Sequence, residues 1–175
     1  MNTNSSMSTL DAILSRRSVR SFESTPLNSE QIEAILKAAM HAPSAGNAQP
    51  WRFVVVDDKS LLNAVTKIHP YAQMAAEAPL AILVCGDLQA EKYPGYWPQD
   101  CGAAIQNMLL AAHSSGLGAV WTGIYPNEPL VAPFRELFGL PASVVPMAFV
   151  VIGRPAGAAS KVDRYRPEYV HRNKW

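Results

Sequence analysis

Residues 28–44, NSEQIEAILKAAMHAPS, carry apolar side chains at Ile32, Ile35, Leu36, Ala39 and Met40, a spacing that keeps one face of a helix apolar. Asn28 can cap its first turn, with Gln31 reaching back, and Pro43 stops it. The period then changes. WRFVVVDD (51–58) is a compact Val-rich run bounded by turn formers and predicts a buried strand. Asp57 or Asp58 opens another helix, which carries Leu61, Leu62, Val65 and Ile68. A short helical stretch near 71–77 leads to LAILVCGD (80–87), a second buried strand. QAEKYPGYWP reads as an aromatic, proline-containing loop before a long Ala-rich helix over about 98–115. Gly116 closes that helix, a short strand covers 119–122, PFRELFGL is helical, and MAFVVIG (147–153) is the last strand. Near the N-terminus, STLD (8–11) has capping-box spacing and predicts a first helix over about 9–17, while 1–7 is small, polar and expected to be disordered. Four strands separated by helices predict an α/β or α+β domain with helices on both faces of one sheet, and periodicity does not choose between a parallel and a mixed sheet.

Composition narrows this to one domain over 8–175. Of the 175 residues, 49% are hydrophobic, enough for a full core, and only 17% are charged, low for a small monomer and suggestive of surface covered in an oligomer. With 15 basic and 14 acidic residues, the net charge of +1 provides no field for nucleic acid. The N-terminus has no signal-peptide pattern and no run is long enough to span a bilayer, which predicts a cytoplasmic protein without membrane association. Cys85 and Cys101 fit no zinc or CxxC spacing and read as two reduced, buried thiols.

Candidate chemistry concentrates in three places. RRSVRSF (16–22) sets Arg16, Arg17 and Arg20 within five positions, with no carboxylate before Glu23. Closing a helix C-terminus would occupy one or two of them; a phosphate would use all three together with the Ser18 hydroxyl. In HAPSAGNAQPWRF (41–53), Ser44, Asn47 and Gln49 offer donors and acceptors between two apolar elements, suited to the edge of a flat heterocycle. GLGAVWTG (116–123) has its glycines in the wrong order for a dinucleotide fingerprint, because they follow a helix and open a strand. Thr122 and Gly123, at that strand's end, are where ligand crevices often lie. His41, His69, His113 and His171 show no metal-ligand spacing, and there is no nucleophile elbow or P-loop. A phosphate-like pocket without catalytic side chains points to a cofactor that carries the chemistry itself.

RRSVRSF, APSAGNAQPWRFVVV, GLGAVWTG and the closing DRYRPEYVHRNKW together resemble the nitroreductase family of FMN-dependent flavoproteins, over nearly the whole chain from about Leu10 to Trp175. The resemblance implies an α+β fold with a mixed, mainly antiparallel sheet flanked by helices. It also implies an intertwined homodimer whose C-terminal extensions embrace the partner, with FMN at the interface. The implied activity is ping-pong: NADH or NADPH reduces the flavin, and a nitroaromatic, quinone or related planar acceptor is then reduced, with no side chain acting as a catalytic group. Carried over by position, Arg16 and Ser18 hold the FMN phosphate with Arg17 beside them, and Arg164, or less strongly Lys161, completes that site. Arg20 lies near the pyrimidine ring, where Gln73 is a weaker candidate. Pro43, Ser44, Asn47 and Gln49 reach the flavin of the other subunit, and Thr122 and Gly123 lie over or beside the ring. Tyr93, Tyr96 and Trp97 are candidates for a wall over the open flavin face, against the plainer alternative of a packed surface loop. Alternative functions are a specialised relative such as a reductive dehalogenase, or a non-catalytic FMN-binding redox sensor.

Overall fold

The computed structural model describes residues 7–157 and 162–175. The expectation of disorder in the first residues therefore falls, Met7 apart, outside the described residues, as does Lys161. Helix α1 (Thr9–Ser15) begins where Ser8 Oγ accepts from the Asp11 amide at 3.1 Å and donates to its carboxylate at 2.6 Å. It ends two residues short of the predicted limit. Arg16 turns to φ −54, ψ 136, and the chain continues extended, with Ser18 forming a parallel bridge to Ala119 and Phe22 an antiparallel one to Pro155. The basic stretch is therefore an extended arm and not the end of a helix.

Helix α2 (Ser29–Met40) carries the predicted capping box, Asn28 and Gln31 each satisfying the other's backbone N–H. Strand β1 (Trp51–Val56) leads through the Asp58 cap into α3 (Lys59–Ile68). Strand β2 (Leu80–Asp87) is followed by α4 (Trp97–Ser114), β3 (Gly118–Gly123), α5 (Glu128–Phe138) and β4 (Val144–Gly153). The sheet order is β1-β2-β4-β3, with every neighbouring pair antiparallel. The Ser18–Ala119 bridge adds the parallel component of a mixed, mainly antiparallel sheet. Strand β4 starts three residues before its predicted limit. Pro146 sits opposite Cys85, at a bulge between Val84 and Cys85, where a missing ladder N–H is tolerated.

Alternation along β2 feeds two cores. Ile82 and Val84 join Ile35 and Ala39 of α2 and Ile105 and Met108 of α4; Leu83 and Cys85 join Leu62 and Val65 of α3 and Phe134 of α5. The four-strand sheet is thus covered by helices on both faces, as predicted. Gly116 closes α4 at φ +74, with Leu117 N–H donating to Ala112 C=O at 2.9 Å. Both cysteines are free and buried, and burial pushes each thiol up to about 12, so neither presents a thiolate near neutrality. Among the described residues, no helix is long and apolar enough to cross a membrane and no cluster of His, Cys, Asp and Glu is arranged to hold a metal.

Trp97 corrects the aromatic-loop reading. It is the first residue of α4, 5% exposed, and its ring stacks tilted on Tyr125 at 4.7 Å over Gly86. It belongs to the core and not to a wall facing solvent.

Candidate functional site

The extended arm lies along β3 because Gly118 leaves room for it. A Cβ there would come within 2.7–2.8 Å of the Val19 side chain, and Val19 N–H donates to Ala119 C=O at 3.1 Å. One end of the arm enters a cluster of cations. Arg16 is half-buried, and its Nε is shielded from solvent with no hydrogen-bond partner among the described residues. Burial, then the neighbouring Arg164 and Arg17 guanidinium groups, lower its pKa from the ordinary arginine value. Arg17 donates to Leu14 and Arg16 carbonyls at 2.9 and 2.7 Å and to Val162 C=O at 3.1 Å, which ties the arm to the C-terminal segment. The structure thus brings Arg16, Arg17 and Arg164 together, although Arg164 follows 144 residues after Arg20. A buried donor without an acceptor, among mutually repelling cations, suits a multiply charged anion such as a phosphate monoester. Ser18, at the bridge to Ala119, is exposed beside it.

His113 of α4 belongs to the same neighbourhood. Ser15 Oγ donates to Asp11 C=O at 2.6 Å, so His113 Nε2, 2.7 Å away, is the donor in its contact with Ser15. Burial, followed by the Arg16 and Arg17 charges, lowers the His113 pKa. The sign of the stability effect follows. The folded state binds fewer protons than the unfolded chain, so the neutral ring's contribution is complete above the unfolded pKa, about 6.5, and is lost as pH falls toward the depressed folded value. The urea midpoint of the apoprotein is expected to fall between about pH 7 and about pH 5.5, and His113→Gln to flatten part of that slope. An unchanged slope in the variant would remove His113 from the account.

The other end of the arm borders a cleft of about 430 Å³. Arg20, His69, Pro70, Tyr71, Gln73, Met74 and the end of β3, Val120–Gly123, line it. Arg20, Gln73, Thr122 and Gly123, separated in sequence, line this one cleft. Arg20 makes no hydrogen bond or ion pair to any described residue, so its charge is available to the cleft. Thr122 contributes differently from a free hydroxyl: it is 4% exposed and its Oγ1 donates to Phe149 C=O at 2.6 Å. The other cleft residues escaped sequence reasoning, Trp121, Tyr71 and His69 among them. Trp121 had a readable signal, since alternation between buried Val120 and Thr122 turns it outward. Tyr71 and His69 had none.

Pro43, Ser44, Asn47 and Gln49 form a separate group that does not line this cleft. Gly46, Asn47 and Gln49 have φ of 59, 55 and 51, left-handed values that cost non-glycine residues about 1–3 kcal/mol each and are retained where surrounding structure enforces them. The enforcement is visible. Gln49 N–H donates to Ser44 Oγ at 3.0 Å, Gln49 Nε2 donates to Asn47 Oδ1 at 2.9 Å, and Ala45 N–H donates to Asp100 Oδ1 at 2.9 Å. Asp100 is 6% exposed, and its second oxygen has no partner among the described residues. Tyr93 and Lys92 pack over Gly46, and Tyr93 meets Tyr96 edge-on at 6.3 Å. Tyr93 therefore sits on the strained loop, Tyr96 packs against Tyr93, and neither lines the Arg20 cleft.

The profile of the Nitroreductase family matches residues 13–77 and 62–154. A protein of Methanothermobacter thermautotrophicus, provisionally named NADH dehydrogenase/NAD(P)H nitroreductase, is 46% identical over 98% of this chain and 90% of its own. A crystal structure of a protein from Parabacteroides distasonis with the same provisional name superposes with a TM-score of 0.92 at 38% identity, covering 95% of this chain and 98% of that one. A Desulfovibrio desulfuricans structure, provisionally a nitroreductase and solved in complex with FMN, gives a TM-score of 0.83 at 32% identity over 95% and 97% of the two chains.

Proposed function

The chain belongs to the nitroreductase family, and from that membership we propose that it is a homodimeric, cytoplasmic oxidoreductase that uses FMN and NADH or NADPH to reduce nitroaromatics, quinones or related planar acceptors. The observation that carries this reading is the arm itself. One extended segment holds a buried guanidinium donor at Arg16 and a cation at Arg20, neither with a partner among the described residues, suited to the phosphate and ring ends of one flavin nucleotide. FMN would supply the redox chemistry, accepting a hydride from the nicotinamide and passing electrons to the acceptor.

The residues of the chain do the rest. Arg16, Ser18 and Arg164 bind the phosphate, with Arg17 tethering the arm to the tail. Arg20 supplies positive charge beside the pyrimidine edge, where negative charge accumulates on reduction. Gly123, without a side chain, allows close approach to the ring, and Trp121 and Tyr71 exclude water around it. Ser44, Asn47 and Gln49, with Pro43 in front of them, reach the partner's cofactor from their pre-set loop. Exposed apolar groups support the dimer: Leu10, Ile13 and Leu14 on α1, and Val162, Tyr165, Val170 and the fully exposed Trp175 in the tail.

The test is a visible spectrum of the purified protein before and after anaerobic NADH or NADPH. Flavin bands that bleach with nucleotide and return with a quinone or nitroarene are expected. A yellow protein that neither nucleotide bleaches would favour a binding or sensing role, and a colourless one that FMN cannot restore would sink the assignment. A further outcome is expected at Gly118. Replacing it with Ala displaces Val19 and with it the arm, so FMN affinity should fall about tenfold, on the order of 1–2 kcal/mol. Flavin titration of the apoprotein reads this directly.

A further inference from the structure

His69 is 1% exposed, yet it touches both walls of the Arg20 cleft. Its Nδ1 accepts the Tyr71 N–H at 3.2 Å, and its Nε2 lies 3.0 Å from Gly123 C=O. Only one form of the ring satisfies both contacts: Nδ1 bare and Nε2 carrying the hydrogen. The ring plane is held by Phe134, edge-on at 6.1 Å and 87°. Gln73 locks the same corner, its Nε2 donating to the carbonyls of Thr66 at 2.7 Å and His69 at 3.3 Å. Among the described residues, no other hydrogen bond links the 69–74 wall to the end of β3.

We propose that His69 is a positioning residue of the cleft: as the neutral, Nε2-protonated imidazole it ties Gly123 to the Tyr71 wall and so sets the slot that receives the flavin ring. This rests on the FMN reading above. His69 makes no contact with the arm's cationic end, so its influence falls on the ring half of the ligand and not on the phosphate half. Any flavin, phosphorylated or not, depends on it to the same degree.

The test uses the full-length apoprotein titrated separately with riboflavin and with FMN by fluorescence quenching. His69→Phe keeps the ring packing against Phe134 and loses both hydrogen bonds. It is expected to weaken riboflavin and FMN alike, about tenfold, and to leave their affinity ratio unchanged. His69→Gln carries one amide donor and one acceptor and is expected to recover most of that loss. Wild-type affinity for riboflavin in the Phe variant, or a Gln variant no better than Phe, would overturn the proposal. If the Phe variant does not fold, nitrogen NMR of wild-type apoprotein still decides. A pyrrole-type Nε2 and a pyridine-type Nδ1 support the brace, and the reverse tautomer or an imidazolium at neutral pH defeats it. Should the wild type bind neither flavin, the FMN reading fails while the NMR result continues to stand for or against the brace.

Discussion

Arg16→Met is expected to bind FMN on the order of a hundredfold more weakly, about 3 kcal/mol, while binding riboflavin as the wild type does. The estimate is two charge-assisted hydrogen bonds to phosphate at the lower end of their range. Methionine keeps the aliphatic stem and removes only the charge and donors, so lost packing does not confuse the reading. A second consequence separates this from general damage. In the apoprotein, the Arg16 Nε is buried with no partner among the described residues, and its charge faces Arg17 and Arg164. Removing it relieves both penalties, so the apo variant should melt at or above the wild-type temperature. Inorganic phosphate should raise the melting temperature of the wild type and not of the variant. FMN affinity within threefold of wild type would take the phosphate away from this cluster.

The largest effect on stability is expected at Gly86→Ala. A Cβ there would overlap Trp97 Cε3 and lie 2.7 Å from Cδ2 and 2.9 Å from Cζ3, and the ring is also packed against Tyr125 at 4.7 Å. Gly86 is also close to the β2–β4 bulge and paired with both Trp51 and Val145, so the strand cannot simply drift away. Overpacking of this kind costs about 3 kcal/mol or more, a large part of a small domain's stability. Urea unfolding measures it. Trp97→Leu alone should also destabilise, through the cavity it leaves, yet the double variant should be more stable than the two single losses added together. Additive losses would mean that the ring and the new methyl group do not compete for one space. Because Trp97 begins α4, and Asp100 one turn later holds the Ala45 amide, the single variant should disturb the strained loop as well.

The sequence made the two buried strands and α2 plain because each expresses one period without interruption. It misjudged places where a tertiary contact outweighs a local preference. Arg16 and Arg17 are good helix formers, but the slot at Gly118 draws Val19 onto β3 and extends the chain. The sequence pattern starts the last strand at 147, yet β4 continues back through Pro146, whose missing N–H is tolerated beside the bulge. YWP has the composition of a turn, yet Trp97 is already the first residue of α4, with Pro98 behind it in the first turn, where a proline is welcome. In the site, density of charge exposed Arg16–Arg20, and unusual amide content exposed Ser44–Gln49. His69 stayed hidden because its significance is a contact 54 residues away, with nothing in its neighbours to announce it.

The arm along β3 is also a gauge. Extended chain advances about 3.3 Å per residue, so the Cα atoms of Arg16 and Arg20 stand about 13 Å apart, a backbone spacing that no side-chain rotamer alters. Alternation puts residues 16, 18 and 20 toward one side, while 17 and 19 turn to the tail and to Gly118. Length and facing are therefore set together. One residue inserted between Ser18 and Arg20 would do more than lengthen the ruler: it would swing the far cation to the back of the strand, so drift in this segment can only proceed by substitution.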